Sequence, residues 1–334
     1  MARVLVTRAL PPGSLGPLAG HELVGPPAGD APMSPDELAA AAATVDAIVS
    51  LLTDRIDATV LRAGAGRLRV VANVAVGYDN IDVATARELG IVVCNTPGVL
   101  DETTADVAFL LLLAASRLAT GAEADLRAGR WAGWGINQYL GQDVHGATLG
   151  IVGWGRIGRA VARRAAGFGM TVLHHARRAT GEPGYVAELD ELLGRVDAVS
   201  LHVPLNAETR HLIDARRLGL MRPTAVLVNT ARGPVVDEAA LVRALQAHRI
   251  AGAALDVYED EPRMAPGLAE CDNVVLVPHI ASASHDTRDR MAVMVAENVI
   301  AHERGERAPN VVNPDVYDTA AYRQRRAAAV TSST

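Results

Sequence analysis

The chain has 334 residues, 49% of them hydrophobic, and a formal net charge of −6. That is enough apolar material for two compact domains, and it excludes bulk disorder. The acidic balance gathers no basic stripe for nucleic acid, and the longest apolar run, 107–115, is too short to cross a bilayer. The expected partners are therefore a small molecule and a second copy of the chain.

Met1-Ala2-Arg3-Val4-Leu5-Val6 reads as a first strand rather than a signal peptide. Further aliphatic runs at 47–52, 70–74 and 91–94 alternate with helix-forming stretches. Continuous apolar strands separated by helices imply a parallel sheet covered on both faces. Cys94 in the last run and the distant Cys271 are the only cysteines, read as reduced packing residues, and the protein is expected in the cytoplasm. After Pro97-Gly98, a candidate hinge, one long helix is predicted from 101 to 118, with Asp101 and Glu102 opening it. A Trp-bearing loop follows over 131–141. A second series of strands then begins, at 148–152, 172–173, 198–201, 225–228, 252–255 and 274–277. A helix over 288–303 leaves that series, and Asn310-Val311-Val312-Asn313 is expected to rejoin the first.

The predicted fold class is α/β, with two Rossmann-like parallel-sheet domains, flavodoxin-like and dinucleotide-binding, and a cleft between them. The predicted substrate-binding domain is discontinuous, 1–98 plus 288–318, and the dinucleotide-binding domain is 99–287. The tail, 319–334, is rich in Ala, Arg, Ser and Thr and is expected to be disordered.

The strand ending at Val152 runs into Gly153-Trp154-Gly155-Arg156-Ile157-Gly158, a G-x-G-x-x-G that opens a helix. In such a loop the first glycine makes the tight turn, the second admits a pyrophosphate at the positive helix end, and the third lets helix and strand pack closely. An NAD site puts a carboxylate about 20 residues on, for the ribose 2′-hydroxyl. Here Ala176 stands at that place, followed by Arg177 and Arg178, two guanidinium groups suited to a 2′-phosphate. NADP(H) is the preferred cofactor on this reading, with NAD(H) a possibility; a merely solvated arginine loop is the plainer alternative. His174 and His175 are adjacent in a strand, face opposite ways and read as structural, so no metal is expected.

Three polar residues stand at ends of the second series of strands, where α/β sheets place ligands: Arg232, Glu261 and His279. Reduction of a keto acid needs a cation to grip a carboxylate and a proton donor tuned near neutrality. Arg232 fits the first role and His279 the second, with Glu261 as the carboxylate that favours imidazolium. Singly, each also reads as a capping arginine, a surface glutamate before proline, or a core histidine.

With these residues in place, the chain resembles the D-isomer-specific 2-hydroxyacid dehydrogenase family, and within it the glyoxylate/hydroxypyruvate reductase branch. The likeness runs from about residue 45 to 313 and includes Val74-Ala75-Val76-Gly77-Tyr78-Asp79-Asn80-Ile81-Asp82, Cys94-Asn95-Thr96-Pro97-Gly98 and Leu201-His202-Val203-Pro204-Leu205. The resemblance implies that Arg232 binds substrate, Glu261 tunes the histidine and His279 donates the proton. It implies that Val76 and Gly77 offer backbone amides to the substrate carboxylate, with Leu52 near a second substrate-facing loop. Thr230, Ala231, Asp256 and Ala281 fall on positions that meet the cofactor. Relatives are typically homodimers that use the long helix and the Trp-bearing loop, so Trp131 and Trp134 are candidates for an interface. The implied reaction is reduction of glyoxylate or hydroxypyruvate to the D-2-hydroxyacid. Other D-2-hydroxyacid dehydrogenases, such as 2-ketogluconate reductase, phosphite oxidation and a nucleotide-sensing corepressor on the same scaffold are the competing readings.

Overall fold

The computed structural model describes residues 1–27 and 30–331. Internal contacts divide the chain into unit 1, Met1–Leu100 with Ser284–Thr334, and unit 2, Asp101–Ala283. The crossings thus fall at the start of the long helix and just before the returning one, a few residues from the expected 98/99 and 287/288.

Unit 1 opens with β1 (Arg3–Val6), β2 (Glu22–Val24), α1 (Pro35–Ala42), β3 (Ala47–Ser50), α2 (Ala58–Ala63), β4 (Val70–Asn73), α3 (Val83–Glu88) and β5 (Val92–Cys94). The strands are parallel in the order β2-β1-β3-β4-β5, the flavodoxin order. β3, β4 and β5 are buried along their whole length, which is why their sequences are continuously apolar rather than alternating. β2 was not foreseen: it is a three-residue edge strand with Glu22 and Leu23 exposed, too short to carry a pattern. Ser34, Asp57 and Asp82 cap α1, α2 and α3, each accepting backbone N–H groups of the first turn.

Unit 2 begins with α4 (Asp101–Ser116) and α5 (Ala119–Arg127). α4 stops short of the expected 118 because Leu118 adopts φ 53° and turns the chain into α5. Then come β6 (Thr148–Val152), α6 (Arg156–Gly167), β7 (Thr171–His175), α7 (Leu189–Arg195), β8 (Ala198–Leu201), α8 (Ala215–Leu218), β9 (Val226–Asn229), α9 (Glu238–Gln246), β10 (Gly252–Leu255) and β11 (Val274–Leu276). The parallel order is β11-β10-β9-β8-β6-β7. A single parallel bridge from His174 to Tyr185 adds the stub of one more strand outside β7. With that stub counted, the order is that of a dinucleotide-binding sheet. Alternate residues face opposite cores: Leu227 packs with Leu192 and Leu241 on one face, while Val226 and Val228 join Leu149, Ala160 and Leu111 on the other.

The chain returns to unit 1 with α10 (His285–Glu303), capped by Ser284. Val311 then bridges Cys94, and the Asn313 side chain accepts from Val93 N (2.9 Å) and donates to Ile91 O (3.0 Å). The expected disorder of 319–334 does not hold: α11 (Ala320–Thr331) is a docked helix, and of that stretch 332–334 lie outside the described residues. Ala and Arg are among the strongest helix formers, so the composition that suggested fraying favours a helix. Arg325 donates to Leu89 O, to Leu68 O (2.7 Å) and to Ala65 O, and Tyr322 meets Tyr317 edge-on with ring centroids 5.0 Å apart. Among the described residues no single helix is long and apolar enough to cross a membrane.

Candidate active site

The site in unit 2 is assembled by turns that follow β9, β10 and β11. After β9, Asn229 folds its side chain over the turn, accepting from Ala231 N (3.0 Å) and donating to Arg232 O (2.9 Å). This staple sets the direction of Arg232, which is half-buried. The next residue must be glycine, since a Cβ on Gly233 would lie 1.8 Å from Tyr258 O. The arginine turn therefore rests directly on the turn that follows β10.

At the end of β10, Asp256 is fully buried. Its carboxylate accepts from Ile280 N (2.6 Å) and Ala281 N (3.0 Å), and its carbonyl accepts from His279 N (2.8 Å). Burial pushes its acid upward, against the pull of those amides and of His279. Asp256 thereby fixes the turn after β11 and holds His279 at φ 53°, a left-handed conformation that costs a non-glycine residue about 1–2 kcal/mol. The strained backbone aims the imidazole at Glu261. His279 Nδ1 lies 2.9 Å from Glu261 Oε2, and since a carboxylate can only accept, Nδ1 is the donor and Nε2 is left to exchange a proton. Glu261 also accepts from Tyr258 N (3.1 Å). Burial, the largest influence, raises its acid. The His279 hydrogen bond and charge, the Tyr258 amide and the Arg232 charge outweigh it and hold Glu261 below the usual range. Arg232, Glu261 and His279 thus share one electrostatic neighbourhood.

The glycine loop joins β6 to α6. Gly153 has φ 105°, and a Cβ there would meet His202 O at 2.5 Å; on Gly158 it would meet Gly153 O at 2.2 Å. A Cβ on Gly155 would meet nothing within 4 Å, and no side chain caps the α6 N-terminus that Gly155, Arg156 and Ile157 open. Open space before a free helix N-terminus fits a phosphate group. Thr230 Oγ1 is buried without a partner among the described residues, a second place for a dinucleotide to bond. The Trp154 indole stacks on His174, 3.8 Å between centroids. Beyond β7, Ala176 is half-buried and Arg177 and Arg178 are exposed; Arg177 lies 3.7 Å from Glu208.

In unit 1, Leu52 is half-buried in the loop after β3, and Val76 and Gly77 lie in the loop after β4. Their carbonyls accept from Asn95 Nδ2 (2.8 Å) and Asn73 Nδ2 (3.0 Å), while neither amide donates to another described residue, leaving both N–H groups for an anion. Asn80 braces both loops, donating to Leu51 O (3.1 Å) and Asp54 O (2.9 Å). The site residues in unit 2 gather at the carboxyl ends of its strands; Leu52, Val76 and Gly77 hold the same end of the unit 1 sheet. Asn80, Asn73 and Asn229 were not foreseen. Their one signal in sequence is an amide side chain beside a strand end, which is common in any turn.

Residues 109–281 match the family described as D-isomer specific 2-hydroxyacid dehydrogenase, NAD binding domain. A glyoxylate reductase of Korarchaeum cryptofilum is 53% identical over 322 residues, 94% of this chain and 96% of that one. The chain belongs to the D-isomer specific 2-hydroxyacid dehydrogenase family. Among solved structures, the TT0316 protein of Thermus thermophilus superposes with a TM-score of 0.87 at 44% identity, covering 93% of this chain and 99% of its own. An NADPH-dependent glyoxylate/hydroxypyruvate reductase of Sinorhizobium meliloti, solved with NADP and malonate, gives 0.82 at 37% identity, with 96% and 97% covered. Both parallel α/β sheets of the chain are those of a 2-hydroxyacid dehydrogenase.

Proposed function

We propose that this dehydrogenase reduces a small 2-keto acid, glyoxylate or hydroxypyruvate, to the D-2-hydroxyacid, with NADPH preferred over NADH. The observation that carries the reading is the 2.9 Å hydrogen bond from His279 to Glu261 beside Arg232. When bound, the nicotinamide supplies the hydride. Arg232 grips the substrate carboxylate through paired N–H donors and orients the carbonyl. His279 delivers its Nε2 proton to the carbonyl oxygen, and Glu261, accepting from Nδ1, fixes the ring throughout. Val76 and Gly77 act as anion-binding amides, with Leu52 as an apolar neighbour of the substrate. Thr230, Ala231, Asp256 and Ala281 face the nicotinamide half, and Gly153 to Gly158 take the pyrophosphate.

The preference for NADPH rests on Ala176, which lacks the carboxylate that repels a 2′-phosphate, and on the exposed Arg177 and Arg178. The glyoxylate/hydroxypyruvate reductase of Sinorhizobium meliloti, similar over nearly its whole length, is NADPH-dependent. The test is a matrix of kcat/KM for glyoxylate, hydroxypyruvate and bulkier keto acids with each cofactor. The expected maximum is a small keto acid with NADPH; equal efficiency with NADH overturns the cofactor assignment, and no turnover on any keto acid overturns the reaction.

The working form is proposed to be a cytoplasmic homodimer. α5 buries none of its residues, and Trp134, Ile136 and Leu140 in the following loop are 79%, 70% and 67% exposed, an apolar surface suited to a second copy. Light scattering is expected to give twice the chain mass, and a monomer at micromolar concentration overturns the assignment. Cys94 and Cys271 are free thiols, which fits a reducing compartment.

A further inference from the structure

The segment between β7 and α7 does more than present two arginines. His174 N donates to Gly184 O (2.8 Å) and Val186 N donates to His174 O (2.8 Å), so the chain leaves β7, loops out and comes back alongside it. Arg177 and Arg178 ride on the outward half of that loop. Its inner half is tied down by two side chains. Thr180 Oγ1 lies 2.8 Å from His174 Nε2 and accepts from Glu182 N (3.2 Å). Glu182 accepts from Trp154 Nε1 (2.8 Å) and from Arg159 (2.5 Å). The indole in the middle of the glycine loop is thus stacked on His174, with the Arg159 guanidinium 5.4 Å above it, and hydrogen-bonded to the arginine loop. Nothing in the spacing of the glycine motif requires this.

Two consequences bear on an adenosine phosphate. A loop already held in one conformation loses little freedom when a ligand binds it, so its arginines bind more tightly than on a mobile loop. A carboxylate close to a 2′-phosphate would repel it, but Glu182 is paired with Arg159, whose positive charge offsets its own, and hydrogen-bonded to the indole.

We propose that Thr180 and Glu182 are positioning residues for cofactor selectivity: acting through His174, Trp154 and Arg159, they clamp the loop so that Arg177 and Arg178 face a 2′-phosphate. This deepens the NADPH assignment and rests on it. The two ideas fail separately. Calorimetry on the full chain compares adenosine 2′,5′-bisphosphate with 5′-AMP, which differ by the 2′-phosphate alone. Wild type that binds both equally overturns the NADPH assignment. If wild type discriminates, the T180V/E182A double variant is expected to lose about tenfold in affinity for the bisphosphate, the scale of one well-made hydrogen bond, while 5′-AMP changes less than about twofold. E182Q, which keeps an acceptor for the indole, is expected to recover most of the loss. Unchanged discrimination in the double variant, or equal losses on both ligands, overturns the clamp. Hydrogen exchange over 176–183 gives an independent reading: the double variant is expected to exchange at least about tenfold faster there, with the remaining strands unaltered. Unchanged exchange also overturns the clamp.

Discussion

His279 joins chemistry and strain at one residue. Its φ of 53° suits glycine, yet a glycine has no imidazole. We predict that His279→Ala and His279→Gly both lose about a hundredfold or more in kcat, the usual share of a general acid, with cofactor affinity nearly intact. The glycine variant should be more stable than the alanine variant by about 1 kcal/mol in urea unfolding, because it relieves the left-handed conformation. An alanine variant of equal or greater stability would show that the turn stores no strain. The position of His279 was legible in the sequence, since the end of a parallel strand is where such sheets put ligands. Its strain was not, because the turn is set by amides donating to Asp256, a residue more than twenty positions away.

At the scale of elements, α11 is the clearest gap between sequence and structure. Its composition alone fits either a frayed tail or a helix, and docking decides. The docking is done by Arg325, whose guanidinium bonds the carbonyls of Leu89, Leu68 and Ala65 and, among the described residues, no carboxylate. Arg325→Ala is expected to cost about 2 kcal/mol, leaving buried carbonyls without donors, and to speed proteolysis of the last helix. Unaltered stability would mean that water replaces the guanidinium without loss. The strands of both sheets, by contrast, were legible nearly to the residue, since burial on both faces leaves continuous aliphatic runs. β2 escaped, as did the stub at Tyr185: each is too short for any pattern to accumulate.

Over the whole molecule, the two units carry a shared sensitivity to acid. Burial holds His202 in unit 2 down to about 3. Burial, with the charges of Arg69 and Arg326, holds His302 in unit 1 down to about 4. Both rings are neutral when folded and would charge once unfolded, at the ordinary histidine value of 6.5. The unfolded chain therefore binds more protons below that value, and stability falls as the pH drops from there toward the folded values. The slope is about 1.4 kcal/mol per pH unit for each histidine. Glu261, held below the usual carboxylate range, adds stability at higher pH that is lost as the pH falls through its folded value. Denaturant midpoints measured from neutral to mildly acid pH should decline, and His302→Gln should flatten the decline. A flat wild-type profile would remove the buried-histidine account.

Unit 1 is made from both ends of the chain, with Val311 closing beside Cys94 and α11 resting on residues before position 90. During synthesis its first hundred residues leave the ribosome long before the partners that complete them exist. Unit 2, continuous in sequence, can mature while its neighbour waits half-built, with aliphatic strands and their edges open to chaperones or to other nascent chains. α11 is then the latch on the first domain begun, and synthesis interrupted before α11 is made would leave a chain whose oldest part is its least finished.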